Sequence, residues 1–131
     1  MAPISASPLL IYASGAVSCL PIALGINALI RPSSPLELLG WPIPTDPYGK
    51  KLALNLMRVY GGRNIALGLS MAIPAYFGHR KALGWMVLGS SVVAIVDGFV
   101  SRDVIGGGEW GHWGILPITM ALGAALVGLF D

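Results

Sequence analysis

Four long apolar stretches run along the chain, and segments rich in proline, glycine and charge separate them. The stretches cover residues 9–30, 51–76, 81–101 and 110–130. Each has about the 20 residues that an α-helix needs to cross the hydrocarbon core of a bilayer. Because short connections place consecutive helices antiparallel, the pattern predicts one domain, an all-α, integral membrane four-helix bundle with up-down topology.

The second stretch differs from the others because polar side chains interrupt its first half. Residues 52–74 carry Asn55, Arg58, Tyr60, Arg63 and Asn64. An arginine at the centre of a membrane helix costs about 2.5–3.5 kcal/mol on insertion scales. These side chains cover more than half of the helix circumference. We therefore expect this helix to lie centrally, with little lipid contact.

The first connection, residues 31–50, contains five prolines and cannot be one continuous helix. Within it, residues 35–41 have the length for one or two helical turns at the membrane interface, with Trp41 in the aromatic belt. Such a segment would cap the mouth of a cavity, or it would serve only as a connector. Pro21 and Pro117 predict kinks in the first and fourth helices.

Charged residues make up only 11% of the chain, against about 25% in soluble domains. With a mean hydropathy of +0.75, this places the protein in the membrane class. The first ten residues lack the basic region of a signal peptide, so we keep residues 9–30 as a helix. A net charge of +2 without clustered lysines or arginines argues against nucleic acid as a partner.

Metal and nucleotide motifs are missing from the sequence. A single cysteine, Cys19, excludes an internal disulfide. One aspartate and one histidine within the spans do not make a metal site. The glycines at 106–108 lack the Lys-Ser/Thr pair that follows in a P-loop. We therefore expect no metal and no cofactor.

Polar side chains of all four predicted helices fall in the same half of the bilayer. Counted at about 1.5 Å per residue from the face of the first and third loops, they lie about 5–19 Å deep. The set comprises Asn27, Asn55, Arg58, Arg63, Asn64, Asp97, His112 and Thr119. Polar residues that only joined helices could be scattered through both halves, so the grouping favours a site.

The candidate catalytic residues follow from the charges in this set. Pairing of Asp97 with either Arg58 or Arg63 leaves the other guanidinium free to bind a carbonyl, enolate, epoxide oxygen or carboxylate. Asp97 and His112 are the candidates for proton transfer, and Tyr60 could donate a hydrogen bond to an oxyanion. The candidate substrate-binding residues are Asn27, Asn55, Asn64, Trp113 and Thr119.

Three functions are compatible with this pattern. The first is an enzyme that acts on a lipophilic small molecule inside the bundle. The second is a non-catalytic scaffold or accessory subunit, in which an Arg–Asp network only holds the helices in register. The third, a small transporter, would need polar residues through to the opposite face, and they become sparse beyond Ser70. A bundle this small could also form a homodimer through its glycine faces.

Several of these residues form a family pattern. The segments at 58–68, 82–85 and 96–98, followed by His112, resemble the small four-helix membrane proteins grouped as domain-of-unknown-function family 4267. The pattern Arg-x-x-Gly-x-Arg-Asn with a later Asp and His carries the resemblance, which covers most of the chain. These proteins occur in fungi and bacteria, and the proline-rich first loop is more similar to fungal members. The resemblance implies a multi-pass membrane protein, in the endoplasmic reticulum if it is fungal.

Fungal members are similar to proteins encoded among natural-product pathways. Small membrane proteins there often cyclise, isomerise or open epoxides on terpenoid or polyketide intermediates. The resemblance therefore implies a cofactor-free enzyme of secondary metabolism, of cyclase, isomerase or epoxide hydrolase type. The pattern is also similar to small membrane proteins of the DoxX type, some of which are thought to be accessory subunits, so the scaffold alternative stays open.

Overall fold

The computed structural model of this protein describes residues 3–131, which are 81% helical and contain no strand. The predicted all-α class is confirmed. A short 3-10 turn at Ile4–Ala6 precedes the helices. These are α1 (Pro8–Ile30), α2 (Ser34–Leu39), α3 (Pro47–Tyr76), α4 (Arg80–Ile105), α5 (Trp110–Trp113) and α6 (Leu116–Val127).

Three parts of the chain are long and apolar enough to cross a membrane: α1, α4 and the segment Trp110–Val127. They indicate a membrane protein. The longest helix, α3, does not meet the same criterion, because Arg58, Arg63 and their polar neighbours lower its hydropathy. The prediction of four apolar spans is therefore met for three of them.

Two helix boundaries differ from the predicted ones because of capping. The second predicted helix begins at Pro47 rather than at residue 51. The Asp46 side chain caps it by accepting a hydrogen bond from the Gly49 backbone N–H at 2.7 Å, and Pro47 occupies the first position. At its end, α4 continues past residue 101 to Ile105, where Gly106 adopts a φ of 70° and stops it.

The predicted fourth helix is not continuous. It divides into α5 and α6, which Gly114 and Ile115 separate. Pro117 lies in the first turn of α6, where its missing N–H breaks no helical hydrogen bond, so the interruption precedes the proline. By contrast, α1 passes through Pro21 as one helix.

The long helices form two antiparallel pairs, α1 with α3 and α4 with α6. In the first pair the backbones touch: a Cβ added to Gly25 would lie 2.6 Å from the Gly61 carbonyl oxygen. In the second pair, a Cβ on Gly84 would lie 3.0 Å from the Gly123 carbonyl oxygen. Small residues allow this close approach in membrane helices. The two pairs meet mainly where α3 contacts α4.

The two ends of the bundle differ in chemistry. Near the α3–α4 turn, a core of Met71, Leu83, Val87 and Leu126 is at most 2% exposed. Towards the other end, where α1 and α4 finish and α3 and α5 begin, apolar packing gives way to cavities. The fold thus has one sealed half and one open half.

A polar clasp closes the sealed end. The backbone N–H and the hydroxyl of Ser5 donate to the two carboxylate oxygens of Asp131. Nη1 of Arg80 donates to the backbone oxygens of Ser5 and Ser7, at 2.9 and 2.8 Å. These bonds hold the N-terminal turn against the start of α4 and the last residue of the chain.

Candidate functional site

An inner cavity of about 170 Å³ lies between the two helix pairs. Helix α1 gives it an apolar wall of Val17, Leu20, Pro21 and Leu24. The polar side chains that line it come from α3, α4, α5 and α6; they are Tyr60, Asn64, Ser90, Asp97, His112 and Thr119. All four predicted helices therefore contribute residues to the lining of one cavity.

An outer cavity of about 340 Å³ lies next to it, beneath α2. Leu24, Tyr60, Gly111 and His112 line both cavities, so they form the boundary between them. The outer cavity is also lined by Asn27 and by three residues of α2, Pro35, Leu38 and Leu39. Helix α2 thus covers the outer cavity. This agrees with the alternative in which residues 35–41 cap the mouth of a cavity.

Asp97 is held from outside the cavity by Arg63. The guanidinium forms two parallel hydrogen bonds, Nη1 to Oδ1 at 3.1 Å and Nη2 to Oδ2 at 2.7 Å. Arg63 also lies over the Tyr60 ring, 4.9 Å from its centre. The Arg63 side chain is 41% exposed and does not line either cavity, whereas Asp97 is 18% exposed and lines the inner one. Asp97 therefore lines the inner cavity while both of its carboxylate oxygens are paired with Arg63.

His112 offers a free nitrogen at the boundary of the two cavities. Its Nε2 atom is buried and has no hydrogen-bond partner among residues 3–131. The short helix α5, which the break at Gly114–Ile115 separates from α6, carries this ring. A buried nitrogen without a partner loses its hydration without compensation. It is therefore the natural contact for a polar atom of a bound molecule.

Asn64 is the second polar group left open. It is 5% exposed, lines the inner cavity and has no side-chain hydrogen bond within the described part of the chain. Thr119, by contrast, is satisfied: its hydroxyl pairs with that of Ser91 at 3.0 Å and contacts the Ile115 carbonyl. Asn64 can donate and accept towards a ligand without breaking an existing bond.

Besides Arg63, four predicted site residues lie outside the inner cavity. Arg58 donates to Asn55 Oδ1 at 2.8 Å, and both side chains are exposed. Trp113 donates to the Ile95 carbonyl and packs against Gly98. Asn27 reaches only the outer cavity, where its Nδ2 donates to Ser34 Oγ at 2.9 Å. Of the two arginines predicted for the site, Arg58 is the one that does not pair with Asp97. Its guanidinium does not line the cavity.

Several residues that line the inner cavity were absent from the predicted site. Two of them, Ser90 and Met71 at the far end of the cavity, lie on the same helix faces as predicted site residues. Both could have been found from spacing: Ser90 lies seven residues before Asp97, and Met71 seven residues after Asn64. Seven residues make two turns, so each pair shares a helix face.

The arrangement brings proton-transfer and hydrogen-bonding groups to a mainly apolar space. Asp97, His112 and Tyr60 supply a carboxylate, an imidazole and a phenol within one lining. In residues 3–131, no group of three or more His, Cys, Asp or Glu side chains could hold a metal ion.

No curated protein and no solved structure matches this chain. A family model does match it, over residues 18–126, and this range contains every residue that lines the inner cavity except Val17. The matched range also includes Arg63, which holds Asp97. The chain therefore belongs to the family described as Domain of unknown function (DUF4267).

Proposed function

We propose that this protein is a small cofactor-free integral membrane enzyme of secondary metabolism. All four long helical units cross the bilayer, including α3. The enzyme carries out acid/base chemistry, a cyclisation, an isomerisation or an epoxide opening, on a lipophilic terpenoid or polyketide intermediate. The reaction takes place in the inner cavity.

Three features support α3 as a fourth membrane span. Its 30 residues extend about 45 Å at the helical rise, enough to cross a bilayer. It packs antiparallel along α1, which is apolar enough to span by itself. Its outward positions include Leu56, Val59, Leu69 and Ile73, all exposed. The charged Arg63 among them is neutralised by Asp97, which lowers the cost of burial in lipid.

The observation that carries the proposal is the buried, unpartnered Nε2 of His112 in a cavity that Asp97 also lines. Histidine acts as a base through its neutral imidazole and as an acid through its imidazolium. In an isomerisation or cyclisation, a base removes a proton from one atom of the substrate and an acid returns one to another. Two such groups in one cavity suffice, and no cofactor is consumed.

Epoxide opening uses the same groups differently. An acid, His112 or Tyr60, gives a proton to the epoxide oxygen while the C–O bond breaks. A hydroxyl of the same substrate, or a water molecule, attacks the carbon and passes its proton to Asp97 or His112. The proton count is conserved, and the apolar wall from α1 holds the hydrocarbon part of the substrate.

The test is metabolite profiling of the source organism with the gene deleted, then complemented. We expect a precursor to accumulate in the deletion strain and to disappear with the wild-type gene. His112→Gln should not restore the product. His79→Gln is the matched control, because the only other histidine lies in the exposed α3–α4 turn. Equal rescue by both variants, with normal protein levels, would refute a catalytic role for His112.

The second candidate is a scaffold or accessory subunit, and the Arg63–Asp97 pair favours it. Both carboxylate oxygens are bound by one guanidinium, as expected for a register-holding contact between α3 and α4. This function predicts no accumulating metabolite in the deletion strain. It also predicts loss of a partner complex when Arg63 or Asp97 is replaced.

A further inference from the structure

The hydrogen-bonding groups of the inner cavity that lack partners among the described residues lie towards one of its ends. Helix α3 contributes Tyr60, Asn64, Leu67 and Met71, which follow one another on a single face at helical spacing. Because α4 runs antiparallel, Asp97 lies beside Arg63 at the outer end, and Val87 packs with Met71 at the inner end. The hydrogen-bonding groups without partners, on Asn64 and His112, are therefore at the outer end.

The size of the cavity limits the part of a molecule that it can hold. Asn64 and Met71 are two turns apart, about 10 Å along α3. A cavity of about 150 Å³ holds one benzene molecule, so the 170 Å³ found here suits about seven carbon atoms. An extended chain covers about 1.2 Å per bond, so about eight atoms span 10 Å. Volume and length agree on a segment of seven or eight carbons.

The charges of the lining restrict the polar end of the ligand. Asp97 is the one charged residue that lines the inner cavity, and no lysine or arginine lines either cavity among residues 3–131. The Arg63 guanidinium binds both oxygens of the carboxylate. A bound molecule thus meets a carboxylate that is already paired and no free cation. An anionic head group would find no counter-ion, and a cation would lose its hydration for a carboxylate that already has a partner.

We propose that the inner cavity binds a slender amphiphile with an uncharged oxygen head group, a hydroxyl or carbonyl, placed at Asn64 and His112. About seven or eight carbons of its hydrocarbon part extend towards Met71. The rest of the molecule occupies the outer cavity beneath α2. This inference rests on the proposed function, because it names the substrate class of the same site.

Asn64 gives the head-group assignment its physical basis. The residue is 5% exposed, its amide makes no side-chain hydrogen bond within the described residues, and it offers two donors and an acceptor. A hydroxyl can both donate to it and accept from it, and a carbonyl can accept. A ligand with a neutral oxygen at this level can therefore bind the amide without breaking an existing hydrogen bond.

The test uses a photoreactive octanol with a diazirine at its terminal carbon and the protein in lipid nanodiscs. Unlabelled 1-octanol, octanoate and octylammonium compete with it, and mass spectrometry locates the label. We expect labelling near Leu67 and Met71, and displacement by 1-octanol at concentrations at least about tenfold lower than by either charged competitor, about 1.4 kcal/mol. Equal or stronger competition by octanoate or octylammonium would overturn the inference, as would labelling only on lipid-facing residues.

Two asparagines on the same helix give a matched pair of variants. Asn64→Leu removes the buried amide and should abolish the preference for 1-octanol over octanoate. Asn55→Leu alters an exposed amide outside the cavity and should leave the preference unchanged. Equal preference in both variants would contradict the role of Asn64. If Asn64→Leu does not fold, two wild-type results still test the proposal: the position of the label and the order of the three competitors.

This experiment separates the ligand class from catalysis. Labelling of the cavity by octanol without any accumulating metabolite in the deletion strain would support the ligand class and count against the enzyme. An accumulating precursor with an anionic head group would support the enzyme and overturn the ligand class.

Discussion

Arg63 acts on two cavity residues although its own side chain lies outside the cavity. Its guanidinium binds both oxygens of Asp97 and lies over the Tyr60 ring. A planar fork fixes a carboxylate in one orientation, which an ammonium group cannot do. We therefore interpret Arg63 as a positioning residue for Asp97 and Tyr60, and not as the group that binds the substrate oxygen.

Replacing Arg63 should lower both the turnover rate and the stability of the fold. We expect Arg63→Gln to reduce the rate about tenfold to a hundredfold, because Asp97 and Tyr60 lose their fixed geometry. Loss of the half-exposed ion pair should cost about 1–3 kcal/mol, between the values for surface and buried pairs. Product formation and thermal unfolding in nanodiscs measure the two effects.

Arg58→Gln is the control for this variant. Its guanidinium contacts Asn55 and lines neither cavity, so both rate and stability should stay close to wild type. Compared with Arg63→Gln, Arg63→Lys should recover part of the stability but little of the turnover rate. Lysine restores the positive charge without the planar guanidinium that binds both carboxylate oxygens. Equal rates for Arg63→Gln and Arg58→Gln would contradict the positioning role.

At the residue scale, the sequence predicted that Asp97 would pair with Arg58 or Arg63. It did not predict which of the two arginines would be the partner. Arg58 and Arg63 are five residues apart, so their side chains leave α3 in clearly different directions. Only the packing of α4 against α3 decides which direction meets Asp97. For the same reason, spacing grouped Asn64 and His112 by depth, but it did not show that both would lack partners.

At the scale of elements, the contact between α1 and α3 depends on three glycines, Gly25 of α1 and Gly61 and Gly68 of α3. Gly25→Ala should destabilise the protein by about 1–3 kcal/mol, because the new Cβ would meet the Gly61 carbonyl oxygen and the Ile65 side chain. Gly62→Ala is the matched control on α3. A Cβ there meets nothing within 4 Å, and alanine favours the helix by up to about 1 kcal/mol. Chemical unfolding in mixed micelles compares them, and equal stabilities would refute the close contact.

Helix α2 should control access to the cavities. Two anchors hold it: Asn27 donates to Ser34 at its start, and Trp41 Nε1 donates to Ser101 Oγ at 3.3 Å after its end. We expect a cleavable bis-maleimide link between Leu38→Cys and Gly111→Cys, in a Cys19→Ser background, to slow octanol labelling at least about tenfold. Both positions line the outer cavity, and cleavage of the link should restore the rate.

The same double-cysteine variant capped with a monofunctional maleimide is the control, because it carries similar bulk without the link. If linked and capped proteins are labelled at the same rate, ligands reach the cavity between the helices and not past α2.

The element boundaries that sequence analysis placed wrongly were set by local chemistry. The Asp46–Pro47 pair is a helix-start signal that was readable in the sequence, whereas apolar periodicity alone began the helix four residues later. The division of the fourth span was harder to predict. Gly111, Gly114 and Pro117 weaken the helix, and Trp113, the last residue before the break, packs against Gly98.

For the whole molecule, the sealed half predicts that the bundle does not conduct. An apolar cluster lies between the inner cavity and the α3–α4 turn. It consists of Met71, Leu83, Val87 and Leu126. We expect proteoliposomes containing the protein to show the same proton permeability as empty liposomes. A flux that rises with protein content would revive the transporter alternative.

The clasp at the sealed end makes global stability depend on pH in acid. Hydrogen bonds from the Ser5 hydroxyl and backbone lower the pKa of the Asp131 carboxyl from its ordinary 3.8. A lowered pKa means that the folded state favours the ionised form, so this contribution is present above pH 3.8 and is lost as the pH falls through the folded-state pKa. Ser5→Ala should reduce the acid-induced fall in melting temperature. An unchanged acid profile would show that the clasp does not contribute.

The cavity that ends at Met71 gives the protein a direction. Under the proposed function, a molecule bound there has its polar end towards one side of the bilayer, and the outer cavity gives its product a path to that side. The orientation of the chain at insertion would then decide which compartment receives the product. Two membranes with opposite insertion of the same chain would deliver it to opposite sides, although the chemistry inside the bundle would be identical.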